Sequence, residues 1–276
     1  MKVFYIILWV VLLAAVGLFI LNIATAKSVD PRPIVEQGAK NVETMVADQN
    51  GYLKEYVTSA KRTLFTNVYL TFDDGPSNNT LAVLDILDKY DIKATFFVLG
   101  PRSDYRDGII KQCADRGHSI AIHSYTHRYS DIYATDQAYR QDVTKVQDWL
   151  AEVIGQKVMV FRFPGGSIGA KNRLPKGSTI IADLLADGFS YFDWHIDSQD
   201  SISANVTTEH IQNQVISEYN RLKGNGSKNM VILFHDSSTK ANTAAALEPI
   251  LAHMVADGCS FEVVTTDTPA VRHYKP

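Results

Sequence analysis

The sequence predicts an α/β fold, namely a distorted (β/α) barrel with about seven parallel strands, preceded by one N-terminal transmembrane helix. From Val68 onward, short apolar runs typical of strands alternate with longer segments whose apolar residues recur at helical spacing. Repeated βα units imply a parallel sheet, and seven or eight of them imply a closed or nearly closed barrel. A Gly follows most of the predicted helices within a few residues, as is common at helix C-termini.

The N-terminal segment predicts the compartment. Residues 3–26 contain no charge and follow Lys2, and about 20 apolar residues suffice to span a bilayer as a helix. Residues 1–26 therefore read as a membrane anchor with the rest of the chain outside the cell. A cleaved signal peptide is the alternative, because Ala24-Thr25-Ala26 has the small-x-small form. We expect 27–64 to form a stalk or linker and 65–276 to form the catalytic domain.

The composition is that of a globular domain, with 46% hydrophobic and 21% charged residues. The formal net charge of -3 argues against a nucleic-acid-binding protein. The two cysteines, Cys113 and Cys259, lie far apart in the sequence, which excludes a disulfide framework and makes a thiolate metal site an unlikely reading of the pattern.

The alternation of patterns gives each element in turn. The predicted strands are 68–72, 94–99, 119–123, 158–163, 191–196, 230–234 and 260–264, and the predicted helices are 80–90, 107–116, 137–154, 179–186, 207–222 and 243–256.

Reactive side chains recur where these strands end. Asp73 and Asp74 end the first strand before a Gly-Pro turn, so one carboxylate can hold a metal while the other faces substrate or water. His123 and His127 follow the third strand four residues apart, which on a helix or a tight turn places both imidazoles on one side. Two His and one Asp with an open coordination position are typical of a catalytic metal site.

Three later strands also end in polar residues. Arg162 precedes Pro-Gly-Gly, where the backbone can approach a ligand closely, and its guanidinium can hold a carboxylate. The segment from Asp193 to Asp200 supplies carboxylates for that Arg and an aromatic wall, Trp194. His235 ends the sixth strand, where it could act as a general acid or base.

Taken together, four of these motifs resemble those of the polysaccharide deacetylases, the carbohydrate esterase family 4 enzymes, also called the NodB-homology domain. The resemblance covers roughly residues 68–264, nearly all of the exported domain. The motifs are Thr71-Phe72-Asp73-Asp74-Gly75-Pro76, His123-Ser124-Tyr125-Thr126-His127, Arg162-Phe163-Pro164-Gly165-Gly166 and Leu233-Phe234-His235.

The resemblance implies a distorted (β/α) barrel that removes acetyl groups from a glycan with one divalent metal, usually zinc, with cobalt or manganese as alternatives. The metal ligands would be Asp74, His123 and His127. The general base would be Asp73, and the general acid would be His235.

The same resemblance implies supporting roles. Arg162 would orient Asp73, and Asp200 would be the carboxylate that holds Arg162, with Asp197 in reserve. Leu233 would line the acetyl pocket, and Gly165 would offer its backbone N–H to the oxyanion.

The sequence departs from the family at two positions. Many members carry an aromatic residue at Gly165 and a Trp at Ser201, so the sugar groove would have thinner walls here. We expect Trp194 and Tyr125 to compensate as substrate-binding residues.

The resulting hypothesis is a monomeric, membrane-anchored, metal-dependent deacetylase acting on N-acetylglucosamine units of bacterial peptidoglycan, or a secreted one if the anchor is cleaved. Chitooligosaccharide, another exported glycan and an O-acetyl ester are alternative substrates. The alternative of a different class is a non-catalytic glycan-binding protein on the same fold.

Overall fold

A parallel sheet organises the part of the chain that the computed structural model describes, residues 66–203 and 205–276, which lie within one unit, Arg62–Pro276. The predicted anchor and stalk, 1–26 and 27–64, lie outside these residues. No helix among the described residues is both long enough and apolar enough to cross a membrane.

The sheet contains eight strands, and every pair of neighbours is parallel. The hydrogen-bonded order is β5-β4-β3-β2-β1-β7-β6, with β8 paired to the beginning of β1. This arrangement confirms the predicted α/β class and parallel sheet, in a curled form that is open between β5 and β6. The strands are β1 Asn67–Asp73, β2 Thr95–Leu99, β3 Ser119–Ser124, β4 Val160–Phe161, β5 Ser190–Tyr191, β6 Ile196–Asp197, β7 Asn229–His235 and β8 Ser260–Phe261.

Helices connect the strands, and several begin at a side chain that caps the first turn. Ser77, Ser103, Thr135 and Thr207 each accept a hydrogen bond from a backbone N–H of the helix that follows. These four helices begin one to three residues away from their predicted starts. The helices are α1 Asn78–Lys89, α2 Asp104–Asp115, α3 Tyr129–Ile132, α4 Asp136–Ile154, α5 Gly166–Arg173, α6 Ile180–Ala186, α7 Thr208–Gly224 and α8 Ala241–Ala256.

The period of two along each strand separates the apolar core from the site. On β1, Val68, Leu70 and Phe72 pack with the helices in the main hydrophobic core. The alternate residue Tyr69 belongs to a smaller cluster on the inner face of the sheet. Asp73 has the same parity as Tyr69, so the strand carries its carboxylate to the inner face at its C-terminal end.

The predicted strand 191–196 is wrong as a single element. It is split into β5, which pairs with β4, and β6, which pairs with β7 on the other side of the sheet. The residues between them change partners, because Phe192 N–H donates to Phe161 C=O whereas His195 N–H donates to Val231 C=O. The short helices α3 and α5 were not predicted either.

A segment near the C-terminus fastens the chain between β5 and β6. Asp193 N–H donates to Val271 C=O at 2.8 Å, and the Asp193 carboxylate accepts the N–H of His273 at 2.7 Å. Tyr274 N–H donates to Ser167 Oγ at 2.9 Å. These bonds hold residues 271–274 against β5, β6 and α5. This segment fills the opening of the sheet beside the N-terminus of α5.

A buried histidine just before β3, at the end of the sheet opposite the Asp73 and Asp74 turn, is expected to make stability depend on pH. His118 is 6% exposed, its Nδ1 accepts the N–H of Ala94 at 3.1 Å, and its Nε2 has no partner among the described residues. Burial lowers the pKa of His118 from 6.5 to about 4, helped by the charge of Lys93. Below pH 6.5 the His118 ring takes up a proton in the unfolded chain but not in the folded one. The contribution of His118 to the free energy of unfolding is therefore complete above pH 6.5 and is lost as the pH falls toward 4.

We therefore expect His118→Asn to flatten the pH dependence of stability. In urea unfolding, the wild-type chain should lose about 2 kcal/mol from this group between pH 7.5 and pH 5, whereas the variant should not. The exposed His210 provides the control, since His210→Asn should keep the wild-type slope. A His118→Asn slope equal to that of the wild type would contradict this account.

Candidate active site

The turn after β1 presents two adjacent carboxylates in different directions. Asp73 continues the strand, whereas Asp74 adopts the left-handed conformation with φ 73°, which an Asp tolerates better than most residues. Gly75 follows, and a Cβ atom there would overlap the carboxylate of Asp236. The turn therefore needs Gly at 75, and the bend separates the two acidic side chains.

Asp74, His123 and His127 form a cluster with the composition of a metal site. Their three ligand atoms lie within 4.8 Å of one another. Asp74 Oδ1 is 3.4 Å from His123 Nε2 and 3.6 Å from His127 Nε2, and it is buried without a hydrogen-bond partner among the described residues. A buried carboxylate oxygen facing two imidazoles fits a divalent cation at their centre.

His123 is prepared for such a role by its surroundings. Its Nδ1 lies 2.9 Å from the carbonyl oxygen of Arg162, which can only accept, so the proton sits on Nδ1 and Nε2 is left free. Burial lowers the pKa of His123 to about 3, against the opposing charge of Asp74. The ring is therefore neutral, as a metal ligand must be.

His127 lies on a tight turn rather than on a helix, with φ 55°. Asp142, on α4, holds this turn: its carboxylate accepts the hydroxyl of Ser124 at 2.6 Å and the N–H groups of Tyr125 and Thr126 at 2.9 and 3.1 Å. Ser124 Oγ in turn accepts the His127 N–H at 2.9 Å. Asp142 was not predicted, because nothing in the sequence distinguishes this helical Asp from a solvated one.

Asp73 lies beside this cluster and is held by a buried cation. Its Oδ1 accepts a hydrogen bond from Arg162 Nη1 at 2.8 Å, and its Oδ2 is 3.8 Å from His123 Nε2. Burial raises the pKa of Asp73, although the positive charge of Arg162 opposes this. One oxygen is thus fixed by the Arg, and the other faces the cluster.

Arg162 is fully buried and is satisfied without either of the carboxylates predicted to hold it. Besides Asp73, it donates to the carbonyl oxygens of Phe192 at 2.8 Å and Asp193 at 3.1 Å and to Thr71 Oγ1 at 2.9 Å. The prediction that Asp200 holds Arg162 is therefore wrong, because the backbone at the break between β5 and β6 reaches the guanidinium first.

Asp200 instead holds His235. One carboxylate oxygen lies 2.7 Å from His235 Nδ1 and the other accepts the His235 backbone N–H at 2.7 Å, while Thr243 Oγ1 donates at 2.8 Å. Asp197, the reserve candidate, caps its own turn by accepting the N–H of Gln199 at 2.8 Å. The two carboxylates that flank the cluster thus have one basic partner each: Asp73 is paired with Arg162, and Asp200 is paired with His235.

The charge around His235 favours its protonated form. Burial acts against protonation, but the hydrogen bond and charge of Asp200, with those of Asp73 and Asp74, outweigh it and raise the pKa of His235 to about 9. In the sheet, His235 is the direct neighbour of Asp73 on β1. A proton acceptor and a proton donor therefore lie side by side on adjacent strands.

The three predicted substrate-binding side chains have different surroundings. Leu233 is 4% exposed and precedes His235 by two residues on the same face of β7. Trp194 packs against Gly166, where a Cβ atom would be 3.0 Å from its ring. Tyr125 lies against Gly100 and beneath the ammonium of Lys145, 3.7 Å from the ring centroid.

Gly165 opens the N-terminus of α5 in the left-handed conformation, with φ 76°. Among the described residues, its N–H has no acceptor, so it can donate to a ligand. The aromatic side chain beside it is Tyr129, whose hydroxyl is 3.0 Å from where a Cβ of Gly165 would be. Besides the predicted Trp194 and Tyr125, Tyr129 on α3, a helix that the sequence did not predict, is thus a further aromatic residue near Gly165.

Asp236 is a second residue near the site that the sequence did not predict. Its side chain is 1% exposed, its Oδ2 accepts the hydroxyl of Thr80, and its backbone carbonyl accepts Ser77 Oγ at 2.6 Å. It packs beneath the turn that carries Asp74. Asp236 follows His235 at the end of a predicted strand, a position that could have indicated a role for it. The sequence pattern was interpreted through His235 alone.

Comparisons with known proteins agree with this geometry. The sequence profile of the family described as Polysaccharide deacetylase matches residues 60–175. A peptidoglycan-N-acetylglucosamine deacetylase of Bacillus cereus is 31% identical over 199 residues, which are 70% of this chain and 67% of that protein. The peptidoglycan-N-acetylglucosamine deacetylase PgdA of Listeria monocytogenes is 29% identical over 203 residues, 72% of this chain and 38% of that protein. The chain thus spans about two thirds or less of the length of these two relatives.

Solved structures show the same fold. The catalytic domain of a peptidoglycan N-acetylglucosamine deacetylase from Eubacterium rectale matches with a TM-score of 0.69 and 35% identity, over 76% of this chain and 93% of that one. A polysaccharide deacetylase from Bacillus cereus matches with a TM-score of 0.64 and 28% identity, over 75% of this chain and 96% of that one. The resemblance seen in the four strand-end motifs is confirmed: the chain belongs to the polysaccharide deacetylases, the hydrolases of carbohydrate esterase family 4.

Proposed function

We propose that this chain is a metal-dependent hydrolase that removes N-acetyl groups from N-acetylglucosamine units of peptidoglycan. The observation that carries the proposal is the cluster of Asp74, His123 and His127, with Asp73 on one side and the His235–Asp200 pair on the other. The names of the relatives in Bacillus cereus and Listeria monocytogenes support the choice of glycan.

A cation fits the cluster, and zinc suits two imidazoles and one carboxylate, with cobalt and manganese as substitutes. Such an ion lowers the pKa of water and polarises a carbonyl. The ligand set leaves coordination positions open for water and for substrate.

The remaining chemistry belongs to the side chains. Asp73 Oδ2, which is not occupied by Arg162, takes the proton of the attacking water. The Gly165 N–H donates to the oxyanion that forms when the acetamide carbonyl becomes tetrahedral. His235, whose Nδ1 is bonded to Asp200, donates its Nε2 proton to the amine as the C–N bond breaks. The products are acetate and a free glucosamine amine.

We also propose that residues 1–26 anchor the enzyme in the bacterial cell membrane with the catalytic domain outside, or direct its secretion if they are cleaved. The uncharged segment of 3–26 supports this placement. We further propose that the enzyme acts as a monomer.

Acetate release tests the function. The purified full chain should release acetate from peptidoglycan, lose this activity after chelation and regain it when zinc, cobalt or manganese is added. Metal content, measured in parallel, should approach one ion for each chain. A chain that carries stoichiometric metal but releases no acetate from peptidoglycan, chitooligosaccharide or an O-acetyl ester would overturn the proposal and favour a glycan-binding protein.

A further inference from the structure

An open groove of about 500 Å³ adjoins the active site on the side of α3 and α5. It is lined by Tyr129, Ser130, Tyr133, Ala134, Arg173 and Pro175. No residue of the proposed reaction lies in this set, and the groove is large enough for part of a sugar chain.

Tyr129 joins this groove to the metal-binding cluster. Its ring centroid is 5.3 Å from that of His127, and its hydroxyl occupies the space beside Gly165. Tyr129 therefore lies within reach of a glycan whose acetamide is at the cluster and whose next sugar extends along this groove. An aromatic ring offers such a chain a rigid apolar surface at low entropic cost.

Arg173 stacks on the ring of Tyr129. Its guanidinium carbon is 4.6 Å from the Tyr129 ring centroid, and its Nη1 donates to the carbonyl oxygen of Gly169 at 2.8 Å. No carboxylate of the described residues forms an ion pair with it. The exposed guanidinium is thus held in place by an aromatic ring and one carbonyl, with most of its donors available.

No acidic side chain of the described residues near the groove competes with a ligand for Arg173. Residues 162–182 contain Arg162, Lys171, Arg173 and Lys176 and no acidic residue. The acids that border the groove are occupied: Asp131 pairs with Arg128 at 2.7 Å, and the Asp136 carboxylate accepts the N–H of Thr179 at 3.0 Å. Arg173 is therefore the cation that the groove presents, although the acetylated sugar itself is neutral.

We infer that Tyr129 and Arg173 form a subsite for a carboxylate carried by the sugar next to the one that is deacetylated. The inference rests on the proposed function and extends it from the acetylated sugar to its neighbour. A guanidinium binds a carboxylate through two parallel hydrogen bonds, and neighbouring sugars in peptidoglycan strands carry a lactyl carboxylate, free or extended by a peptide. The ligand chemistry is the carboxylate, and its source is either the lactyl group or the peptide.

The test compares two substrates in the full-length enzyme. One is peptidoglycan glycan freed of its peptides, which exposes the lactyl carboxylates, and the other is a neutral N-acetylglucosamine oligomer. Arg173→Gln should raise KM for the carboxylated glycan about tenfold, the effect of losing one charge-assisted contact, and leave kcat and the neutral oligomer unchanged. Lys176→Gln, which removes a charge from the same segment but does not line the groove, is the matched control and should change neither substrate.

A second arm leaves the protein intact. Methyl esterification of the lactyl carboxylates should raise the wild-type KM as much as Arg173→Gln does, and the two changes together should add nothing. An effect that appears instead only with strands that keep their peptides would assign the site to the peptide carboxylate. Equal changes on the neutral oligomer, or no change with either carboxylated strand, would overturn the subsite.

These outcomes are separate from the fate of the proposed function. Wild-type enzyme that deacetylates both substrates while Arg173→Gln behaves like Lys176→Gln would remove only the subsite. Wild-type enzyme that deacetylates neither would remove the proposed function itself.

Discussion

Replacing Asp73 by Asn is expected to lower kcat for acetate release by about 10²- to 10⁴-fold while the enzyme keeps its bound metal. Asn has nearly the same shape and can still accept the hydrogen bond of Arg162, but it cannot take a proton from water. The metal should stay because its three proposed ligands are other residues, Asp74, His123 and His127. Acetate release and metal content, measured on the same preparation, check both halves of the prediction.

The control for this variant must separate chemistry from the support of Arg162, because leaving a buried charge without its partner costs about 3 to 5 kcal/mol. Thr71→Val removes another acceptor of Arg162 Nη1 without touching a carboxylate. It should cost much less activity than Asp73→Asn. Comparable losses in both variants, or normal turnover in Asp73→Asn, would show that Asp73 is not the proton acceptor.

Asp200→Asn should reduce kcat about 10²-fold near neutral pH and shift its dependence on pH. The carboxylate of Asp200 is the main group that raises the pKa of His235 to about 9 against the effect of burial. Without that negative charge the pKa of His235 falls, so the imidazole loses its donatable proton at lower pH. The alkaline limb of the kcat profile should therefore move toward neutral pH, as steady-state rates from pH 6 to 10 would show.

Asp197→Asn is the matched control, since Asp197 lies three residues away and caps a turn without contacting His235. Its alkaline limb should coincide with that of the wild-type enzyme. An unchanged limb in Asp200→Asn, or an equal shift in both variants, would contradict the assignment of Asp200 to His235.

The sequence predicts the parts of the site that are set by strand parity and by local spacing. Asp73, His123 and His235 each come at the end of an apolar strand, and parallel strands bring such ends to one edge of the sheet. The fold class follows from the same alternation. These features depend on neighbours in the sequence, so a pattern can carry them.

The sequence did not allow us to predict in the same way which carboxylates pair with Arg162 and His235. Asp193, Asp197 and Asp200 follow one another closely, and each could have reached Arg162 or His235. Which one does so depends on the break after β5, where the backbone carbonyls of Phe192 and Asp193 turn toward Arg162. That break rests on two-residue strands, which are too short to give a periodic signal.

Tyr129 and Asp142 illustrate a second limit. Both contact the turn that carries His127 from outside the motifs, Tyr129 through its ring beside His127 and Asp142 through hydrogen bonds to the backbone N–H groups of Tyr125 and Thr126. A helical Asp and an isolated Tyr have no distinguishing pattern in a single sequence. Only the tertiary contacts identify them.

The order of the strands has a consequence for synthesis. β1 pairs along its whole length with β7, and the hydroxyl of Thr71 is bonded to the carbonyl of Ile232, 161 positions later. Asp74, His123 and His127 all leave the ribosome long before His235. During synthesis the chain therefore contains Asp74, His123 and His127 before it contains His235. β1 can pair with β7 only after residues 229–235 have been made. The three residues of the cluster are therefore synthesised before the sheet that positions them can be completed.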